Sequence, residues 1–386
     1  MILEMRNNIL IFTDWYFPGY RAGGPIRSLV NFTNVMKDFF EIKIVTSNTD
    51  FGEKNPYSDI EADKWIEIDE HVRIIYINKK NLSIMRIYHI LKQNENGILY
   101  LNSLYSISFS IIPLLLTDIT GLKNRIIISP RGMLQKGALA NKSFKKYLFL
   151  QLMKISGIHK RIRFHATDLQ EKMDIQKVFR NNSNINVIPN FISKITCPAN
   201  SIVKSRGSIK LVCISIITIM KNLHFLLEIL NSCHGEVELD IYGTVKDGSY
   251  FKKCQEIIMK LNQNITVRVN GDIENSLVQK KLSEHHFFIL PTLGENFGHA
   301  IFESLNAGRP VIISDLTPWR NLEKSGGGWD ISLNDKNAWI STLQKCIMMG
   351  QEEYNKLSAL TYSFARLYAE QPEIIEKYEE LFNAAS

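Results

Sequence analysis

Residues 287–315 read FFILPTLGENFGHAIFESLNAGRPVIISD. The stretch opens with a short apolar run that ends at Pro291, as expected of a strand buried on both faces of a parallel sheet. A glycine-containing loop follows, and then a helical pattern over residues 299–306. Gly308 is suited to cap this helix and Pro310 to open the next strand. The stretch therefore predicts a strand-loop-helix-strand unit of a doubly wound α/β domain.

Short apolar runs alternate with helical patterns along the rest of the chain in the same way. Because the runs are continuously apolar, they predict parallel strands that are covered by helices on both faces. In the first half the predicted strands are residues 9–12, 42–46, 72–77, 97–101, 125–129, 162–165 and 186–188. In the second half they are residues 209–216, 237–242, 265–269, 287–290 and 310–313. The clearest predicted helices are residues 25–39, 141–155, 168–179 and 299–306.

The alternation lapses between residues 190 and 207, where Pro198 and several Ser and Lys residues indicate a linker. A chain of 386 residues is also too long for one ordinary core. We therefore expect an α/β protein with two Rossmann-like, doubly wound parallel-sheet domains, residues 1–195 and 196–370, and a final helix in residues 371–386. Ligands bind at the carboxyl ends of strands in such sheets, so two facing domains would enclose a cleft.

The composition restricts the partners and the compartment of the protein. Its formal net charge of +7 favours anionic partners, which include phosphates, nucleic acid and acidic lipid surfaces. The five cysteines contain no Cys-x-x-Cys pair and are odd in number, which indicates reduced thiols. No signal peptide is visible, and no apolar run is long enough to span a bilayer. We therefore expect a cytoplasmic protein, either soluble or peripheral on the inner face of the cytoplasmic membrane.

Two glutamates in the opening stretch suggest a binding site. Glu295 lies in the loop after the predicted strand, and Glu303 lies about two helical turns further along. Backbone amides of the loop and the helix N-terminus favour phosphate, while carboxylates accept hydrogen bonds from sugar and ribose hydroxyls. Each glutamate taken alone is better explained as a helix cap or a solvated side chain. Their fixed spacing among three glycines favours the binding site.

The same residues carry a family resemblance. Glu295 and Glu303 form a Glu-x7-Glu pair, and GENFGHAIFESLNAGRPVIISD is similar to the donor-site signature of family 4 glycosyltransferases. TPWRNLE at residues 317–323 and GGGWDI at residues 326–331 extend the likeness, which covers nearly the whole chain. The resemblance implies the GT-B fold, a UDP- or GDP-sugar donor, retention of anomeric configuration, and a last helix that crosses back to the first domain.

The resemblance also assigns residues to the donor site. Family members carry an Arg and, five residues later, a Lys in the loop that here reads SIITIMKN at residues 215–222. Lys221 matches the Lys, whereas Ile216 stands at the Arg position, and losing such a charge-assisted hydrogen bond costs about 1.5–3 kcal/mol. The expected donor-binding residues are Gly23, Gly24, Lys221, Asn222, Gly243, Gly271, Glu295, Asn296, Phe297, Gly298 and Glu303. The expected catalytic residues are Glu295, Lys221 and Arg131.

Two loops of the first half contribute to these assignments. The stretch DWYFPGYRAGGPIR at residues 14–27 follows the first strand, and its Gly-Gly pair lets backbone amides approach a phosphate or an acceptor, although a plain turn explains it too. SPRGM at residues 129–133 is similar to a family loop that faces the acceptor, so Arg131 is either a ligand for phosphate or acceptor, or an ordinary surface arginine. His165, which ends a buried strand, is at least as well explained by a structural role.

In the expected reaction the leaving nucleotide diphosphate is stabilised by Lys221, by the amides of residues 296–298 and by the helix dipole. No Asp-x-Asp motif stands at a strand end, so we expect no metal or other cofactor, and no clear protein nucleophile is present. Residues 133–163 contain no acidic residue and many basic ones, which suits anionic lipid headgroups. An ordinary solvated helix face is the alternative, and nucleic acid fits less well.

These features indicate a hexosyltransferase of bacterial surface polysaccharide synthesis, such as O-antigen in lipopolysaccharide, capsule or exopolysaccharide, with a glycan or lipid-linked acceptor. Two alternatives remain open. Because Ile216 replaces the Arg, the protein could bind a sugar nucleotide with little or no turnover; a GT-B nucleotide-sugar epimerase is the other. A Rossmann dehydrogenase is disfavoured because no Gly-x-Gly-x-x-Gly follows the first strand.

Overall fold

The structure is a computed structural model that describes residues 6–135, 139, 143–180, 184–193, 195, 201–370 and 373–383. The chain forms two compact units. The first contains the described residues up to Phe191 together with the last helix, and the second contains those from Ile192 to Glu370. The sequence predicted the division at residues 195 and 196. Part of the predicted linker, with Pro198, lies outside the described residues, as do Lys136 and Lys142 of the basic stretch.

The first unit is built on an eight-stranded sheet in the order β3-β4-β2-β1-β5-β6-β7-β8. Its strands are β1 (Asn8–Phe12), β2 (Glu41–Ser47), β3 (Trp65–Asp69), β4 (Val72–Ile77), β5 (Ile98–Leu101), β6 (Arg125–Ile128), β7 (Arg163–Ala166) and β8 (Ile185–Val187). Neighbouring strands are parallel except β3, which pairs antiparallel with β4 at the edge. The helices are α1 (Gly24–Met36), α2 (Ile84–Gln93), α3 (Ile112–Thr120), α4 (Ser143–Ile155) and α5 (Leu169–Val178).

Both faces of this sheet are buried, as continuous apolar runs require. Along β1, Ile9 and Ile11 belong to one hydrophobic cluster, whereas Leu10 and Phe12 belong to another. Since successive side chains of a strand point to opposite faces, the two clusters lie on opposite sides of the sheet. The parallel strands predicted for the first half are confirmed. β3 was not predicted, because its alternating and partly exposed residues provide no continuous apolar run.

The second unit is built on a six-stranded, fully parallel sheet in the order β11-β10-β9-β12-β13-β14. Its strands are β9 (Ser208–Ile214), β10 (Glu236–Tyr242), β11 (Ile265–Val269), β12 (Phe287–Leu290), β13 (Val311–Ser314) and β14 (Gly328–Ile331). Its helices are α6 (Leu223–Leu230), α7 (Gly248–Ile258), α8 (Asn275–Ser283), α9 (His299–Asn306), α10 (Leu322–Ser325), α11 (Lys336–Met348) and α12 (Gln351–Ala369). The strand-loop-helix-strand unit predicted from residues 287–315 is confirmed.

The last helix, α13 (Glu373–Asn383), packs on the first unit. Tyr378, Leu381 and Phe382 are buried in the same cluster as Ile9 and Ile11. The Tyr378 hydroxyl donates to the main-chain oxygen of Pro189 at 3.2 Å. The helix is therefore part of the first hydrophobic core. With two doubly wound α/β units, the predicted fold class is confirmed.

Candidate active site

The chain leaves the second sheet in opposite directions from two adjacent strands. β9 pairs with β10 on one side and with β12 on the other. The chain after β9 continues to β10, and the chain after β12 continues to β13 on the other side. The loops that follow β9 and β12 therefore diverge and leave room for a ligand. The loop after β9 carries Lys221, and the loop after β12 carries Glu295. The strand order therefore brings together two of the three residues that were predicted to be catalytic.

Hydrogen bonds fix these two loops against each other. The main-chain oxygen of Met220 accepts from the amide of Leu293 at 2.7 Å and from the hydroxyl of Thr292 at 3.0 Å. At the end of β13, the Ser314 hydroxyl donates to the main-chain oxygen of Thr292 at 2.6 Å. Thr292 and Ser314 are fully buried, so water could not replace these hydrogen bonds if they were broken. The main chain of Lys221, next to Met220, is thereby held at a fixed position beside the loop of Glu295.

Lys221 and Glu295 form an ion pair through Nζ and Oε1. Their side chains are 21% and 15% exposed, so the pair is shielded from water but still reachable. From the sequence, Lys221 was assigned to the donor diphosphate and Glu295 to sugar hydroxyls, without mutual contact. The structure adds this contact. An ammonium held by a carboxylate can still donate to a phosphate, because its three hydrogens allow several acceptors.

Helix α9 begins beside this pair. Its N-cap, Gly298, has φ 79° and ψ 61°, a left-handed conformation. A Cβ on Gly298 would come within 2.7 Å of the Ile301 Cδ1 atom, so both conformation and space favour glycine. The first-turn amides of an α-helix have no acceptor within the helix, and together with the helix dipole they favour phosphate. The start of α9 is therefore suited to the anion that was predicted here.

Two further residues of this loop, Asn296 and Phe297, differ in burial. Asn296 is half-buried, whereas the Phe297 ring is buried and packs on Trp319 with ring centroids 5.5 Å apart. The indole Nε1 of Trp319 donates to the main-chain oxygen of Phe297 at 2.6 Å. The Phe297 side chain therefore positions the loop, and only the main chain of Phe297 is left to contact a nucleotide sugar.

Glu303 lies on α9 and is buried, with 4% of its surface exposed. Its main-chain oxygen accepts from the Gln279 Nε2 atom at 3.3 Å and from the amide of Ala307 at 3.0 Å. A carboxylate is rarely buried to this degree without a polar or charged partner. The solvated alternative for Glu303 is therefore wrong, and its predicted role toward ribose hydroxyls stays a prediction.

Gly243 and Gly271 follow β10 and β11, and they contact each other. The Gly243 amide donates to the main-chain oxygen of Gly271 at 2.7 Å. A Cβ on Gly243, at φ 143°, would lie 1.9 Å from the main-chain oxygen of Ser215. Around Gly271, at φ 73°, no atom comes within 4 Å of a built Cβ. Close packing of the strand-end loops therefore explains Gly243 without any ligand.

The position of the missing arginine lies in the same group of loops. Ile216 is half-buried. The next residue, Ile217, pairs with Val245 in an isolated bridge, and its main-chain oxygen accepts from the amide of Lys246 at 3.2 Å. Asn222, at φ 56°, ends this loop as the N-cap of α6. These contacts join the loop after β9 to the loop after β10. The sequence does not predict that Lys246 lies beside this position, because it belongs to a different strand-end loop.

In the first unit, the predicted Gly-Gly pair stands at the start of α1. Gly23 is the N-cap with φ 65°, and Gly24 is the first residue of the helix. No atom lies within 4 Å of a Cβ built on Gly23, so its conformation rather than crowding requires glycine. The preceding loop is anchored by Asp50, whose Oδ2 accepts from the amides of Tyr20 and Arg21 at 2.9 and 3.2 Å.

Arg131 follows β6 and bonds to groups at the ends of other strands. Its Nε donates to Asn102 Oδ1 at 2.7 Å, its Nη2 to the Tyr100 hydroxyl at 3.0 Å, and its Nη1 to Asn190 Oδ1. The carboxylate of Glu171 accepts from the amide of the next residue, Gly132, at 2.6 Å. The guanidinium is half-buried in this network. An ordinary surface arginine is therefore excluded, and contact with the acceptor stays a prediction.

His165 is a structural residue. It is completely buried, with Nδ1 2.9 Å from the Tyr100 hydroxyl and Nε2 2.9 Å from the main-chain oxygen of Ile188. A carbonyl only accepts, so Nε2 carries the proton and Tyr100 donates to Nδ1. Burial, together with the charge of Arg131, lowers the pKa of His165 to about 3. The neutral ring thus links β5 to the segment after β8.

The described cysteines contain no disulfide. Cys213, Cys233, Cys254 and Cys346 are buried free thiols, and Cys197 lies outside the described residues. Burial raises the pKa of Cys213 to about 11, which makes this thiol a poor nucleophile.

Among the residues that the structure covers, no group of three or more His, Cys, Asp or Glu could hold a metal ion. None of the helices that the structure describes combines the length and the hydrophobicity that a membrane span needs.

The chain is similar to known proteins in its second unit by sequence and in its fold by structure. Residues 200–362, which include both loops of the Lys221–Glu295 pair, match the family model of glycosyl transferases group 1. No curated protein matches the chain by sequence. The structure is similar to that of Anabaena Alr3699/HepE in complex with UDP and glucose, at 13% identity and a TM-score of 0.70, covering 97% of this chain and 98% of that chain.

Two further solved structures have the same architecture. One is the E. coli trehalose-6-phosphate protein bound with UDP-2-fluoro glucose, at 10% identity and a TM-score of 0.71, covering 98% of this chain and 99% of that chain. The other is WaaG, a glycosyltransferase involved in lipopolysaccharide biosynthesis, at 13% identity and a TM-score of 0.65, covering 98% of this chain and 100% of that chain. The chain therefore has the GT-B fold, and its second unit matches the glycosyl transferases group 1 model, which supports a transferase.

Proposed function

We propose that the protein transfers a sugar from a UDP- or GDP-sugar to a hydroxyl of a lipid-linked glycan, with retention of anomeric configuration. The observation that supports this proposal most directly is the Lys221–Glu295 ion pair beside the N-terminus of α9, where the loops after β9 and β12 diverge. HepE with UDP and glucose and the E. coli protein with UDP-2-fluoro glucose support a nucleotide-sugar donor. WaaG, which is involved in lipopolysaccharide biosynthesis, supports a surface-glycan acceptor.

In the proposed mechanism the two side chains have separate tasks. Lys221 and the first-turn amides of α9 stabilise the negative charge that develops on the leaving diphosphate. Glu295 accepts hydrogen bonds from the transferred sugar and orients Lys221. The acceptor hydroxyl attacks the anomeric carbon on the face from which the diphosphate departs, and a phosphate oxygen takes its proton. These groups provide the positive charge that the leaving group needs, so we propose that the reaction requires no metal.

We further propose that the protein binds an anionic membrane surface through α4. Five of its apolar side chains are between 50% and 82% exposed, namely Phe144, Tyr147, Leu148, Leu152 and Ile155. At 100° per residue they occupy an arc of about 140° on the helix, and Lys145 and Lys154 flank this arc on its two sides. Opposite the arc, Leu150 and Met153 are buried in the core. An apolar stripe between two lysines suits a bilayer interface with anionic headgroups.

The test is a nucleotide-release assay with UDP- and GDP-hexoses and a synthetic lipid-diphosphate-linked sugar as acceptor, followed by NMR of the new glycosidic bond. We expect acceptor-dependent release, an α-linked product from an α-linked donor, and unchanged turnover in EDTA. Lys221→Met should abolish release, while Lys253→Met, an exposed lysine on α7, should leave it unchanged. A β-linked product would contradict retention, and loss of turnover in EDTA would contradict metal independence.

A second candidate function is donor binding with little turnover, and Ile216 favours it. If another cation does not replace the missing guanidinium, donor binding is weakened by the loss of a hydrogen bond to the diphosphate. Ile216→Arg should then raise donor affinity and turnover, whereas an unchanged rate would indicate that the site is already complete. Nucleotide release without any acceptor would instead favour the epimerase alternative.

A further inference from the structure

A cavity of about 460 Å³ lies in the first unit at the end of the sheet away from the loop of Arg131. Its walls come from the amino ends of parallel strands: Ile98 opens β5, Arg125 opens β6, and Arg163 opens β7. Leu381 and Phe382 of α13 line another side. Because donor and acceptor loops follow the carboxyl ends of strands, this cavity is separate from the site described above.

The cavity is strongly basic. Five of its lining residues are cationic, namely Lys123, Arg125, Lys160, Arg161 and Arg163, and none of its described lining residues is acidic. Arg161 forms an ion pair with Asp118. Burial lowers the pKa of Arg125, and the positive charge of Arg163 lowers it further. An anion bound beside these two guanidinium groups would be attracted by the positive charge of both.

The protein main chain holds part of this basic surface in place. Arg163 Nη1 donates to the main-chain oxygen of Leu381 at 3.2 Å, a neutral acceptor that leaves the charge of the guanidinium uncompensated by that bond. Asn124 Nδ2 donates to the main-chain oxygen of Asn94 at 2.8 Å and fixes the turn between Lys123 and Arg125. Arg163 and the turn that carries Lys123 and Arg125 are thus held in place before any ligand binds, which reduces the entropy cost of binding.

We infer that this basic cavity is a second anion site, which binds a phosphate-bearing group through Lys123, Arg125, Lys160 and Arg163. Guanidinium groups match phosphate oxygens in paired hydrogen bonds, and the lysines add charge at the rim. The phosphate can belong to a soluble diphosphate or to the headgroup of an anionic lipid. The second source is compatible with α4, which ends at the exposed Ile155, five residues before Lys160.

The experiment titrates pyrophosphate by calorimetry into the Lys221→Met variant. This variant lacks the lysine that we propose binds the donor diphosphate in the second unit. Lys123→Gln/Lys160→Gln changes two exposed side chains and is expected to weaken pyrophosphate binding at least tenfold. The control Lys253→Gln/Lys356→Gln, also exposed, makes the same change of net charge in the second unit and should change affinity less than twofold. Arg125→Gln provides an independent variant, and thermal unfolding checks that every variant is folded.

Vesicles then identify the source of the phosphate. If a lipid headgroup is bound, cosedimentation with phosphatidylglycerol vesicles, but not with phosphatidylcholine vesicles, falls in the same double variant and is competed by pyrophosphate. If the ligand is soluble, pyrophosphate binding falls while vesicle binding is unchanged. Equal pyrophosphate affinity in the background protein, the double variant and the control would overturn the second anion site, and this result would leave the donor site of the second unit untouched.

Discussion

Glu295 and Glu303 belong to one motif, but their environments differ. Glu295 is partly exposed and paired with Lys221, whereas Glu303 is buried on α9. We expect Glu295→Ala to lower turnover more than donor affinity, because it frees the Lys221 ammonium, which faces the leaving group in the proposed mechanism. Glu303→Ala should mainly weaken donor binding. Each loss should amount to about 1.5–3 kcal/mol, the value of a hydrogen bond to a charged group.

The measurements are nucleotide release for turnover and isothermal titration for donor affinity. Glu284→Ala is a suitable control, because this glutamate lies at the end of α8 on the surface and pairs only with Lys281 among the contacts that the structure describes. Either motif variant with wild-type affinity and wild-type rate would refute the role assigned to that residue.

His165 should make the first unit sensitive to acid. Its pKa is about 3 in the folded chain and near 6.5 when unfolded. Because the folded-state pKa is depressed, the unfolded chain binds the extra proton first, and stability present above pH 6.5 is lost as the pH falls toward 3. Between pH 7 and pH 5 this loss amounts to about 2 kcal/mol.

Urea unfolding of the wild type and of His165→Gln at the two pH values tests this expectation. A glutamine can keep both hydrogen bonds of the ring without titrating, so the variant should lose about 2 kcal/mol less than the wild type on acidification. His234→Gln, which replaces an exposed histidine, should retain the wild-type slope. Equal slopes in all three proteins would show that folding does not lower the pKa of His165.

At the scale of the strand-end loops, substitutions at two glycines should cost unequal amounts of stability. Gly243→Ala would place a Cβ within 1.9 Å of a main-chain oxygen, so the loops after β9 and β10 would have to separate. Gly271→Ala meets no atom within 4 Å and bears only the strain of its positive φ. We expect Gly243→Ala to destabilise the second unit by at least about 3 kcal/mol and Gly271→Ala by about 1 kcal/mol. Urea unfolding measures both, and equal losses would contradict the close approach at Gly243.

The apolar stripe of α4 predicts membrane binding at the scale of a helix. Phe144→Ser/Ile155→Ser removes two exposed apolar side chains, each worth about 1.5–3 kcal/mol when buried in a bilayer. Binding to phosphatidylglycerol vesicles should therefore fall at least tenfold, while folding stability changes little because neither side chain contributes to the core. Met259→Ser/Leu367→Ser, two equally exposed positions of the second unit, should bind vesicles like the wild type. Wild-type vesicle binding by the α4 variant would exclude this surface.

At the scale of the whole molecule, the sequence predicts what local patterns encode. The strands with continuous apolar runs and α9 with its flanking loop could be predicted, because their signals lie within a few neighbouring residues. β3 could not, since an edge strand with one exposed face resembles a polar loop. Neither could the contacts of Arg131 with Asn102 and Asn190, or the Lys221–Glu295 pair, because partners distant in the chain meet only once the strand order is set.

The division into two units makes the location of donor binding measurable. If the donor binds through Lys221 and Glu295, it stabilises the second unit by RT ln(1 + [L]/Kd), about 2.7 kcal/mol at a hundredfold excess over Kd. In a thermal-shift screen of UDP- and GDP-sugars, the preferred donor should raise the melting temperature of wild type, and this shift should disappear in Lys221→Met. The same shift should survive in Lys123→Gln/Lys160→Gln, because those lysines belong to the first unit. A donor-induced shift that persisted in Lys221→Met would mean that the nucleotide binds elsewhere on the chain.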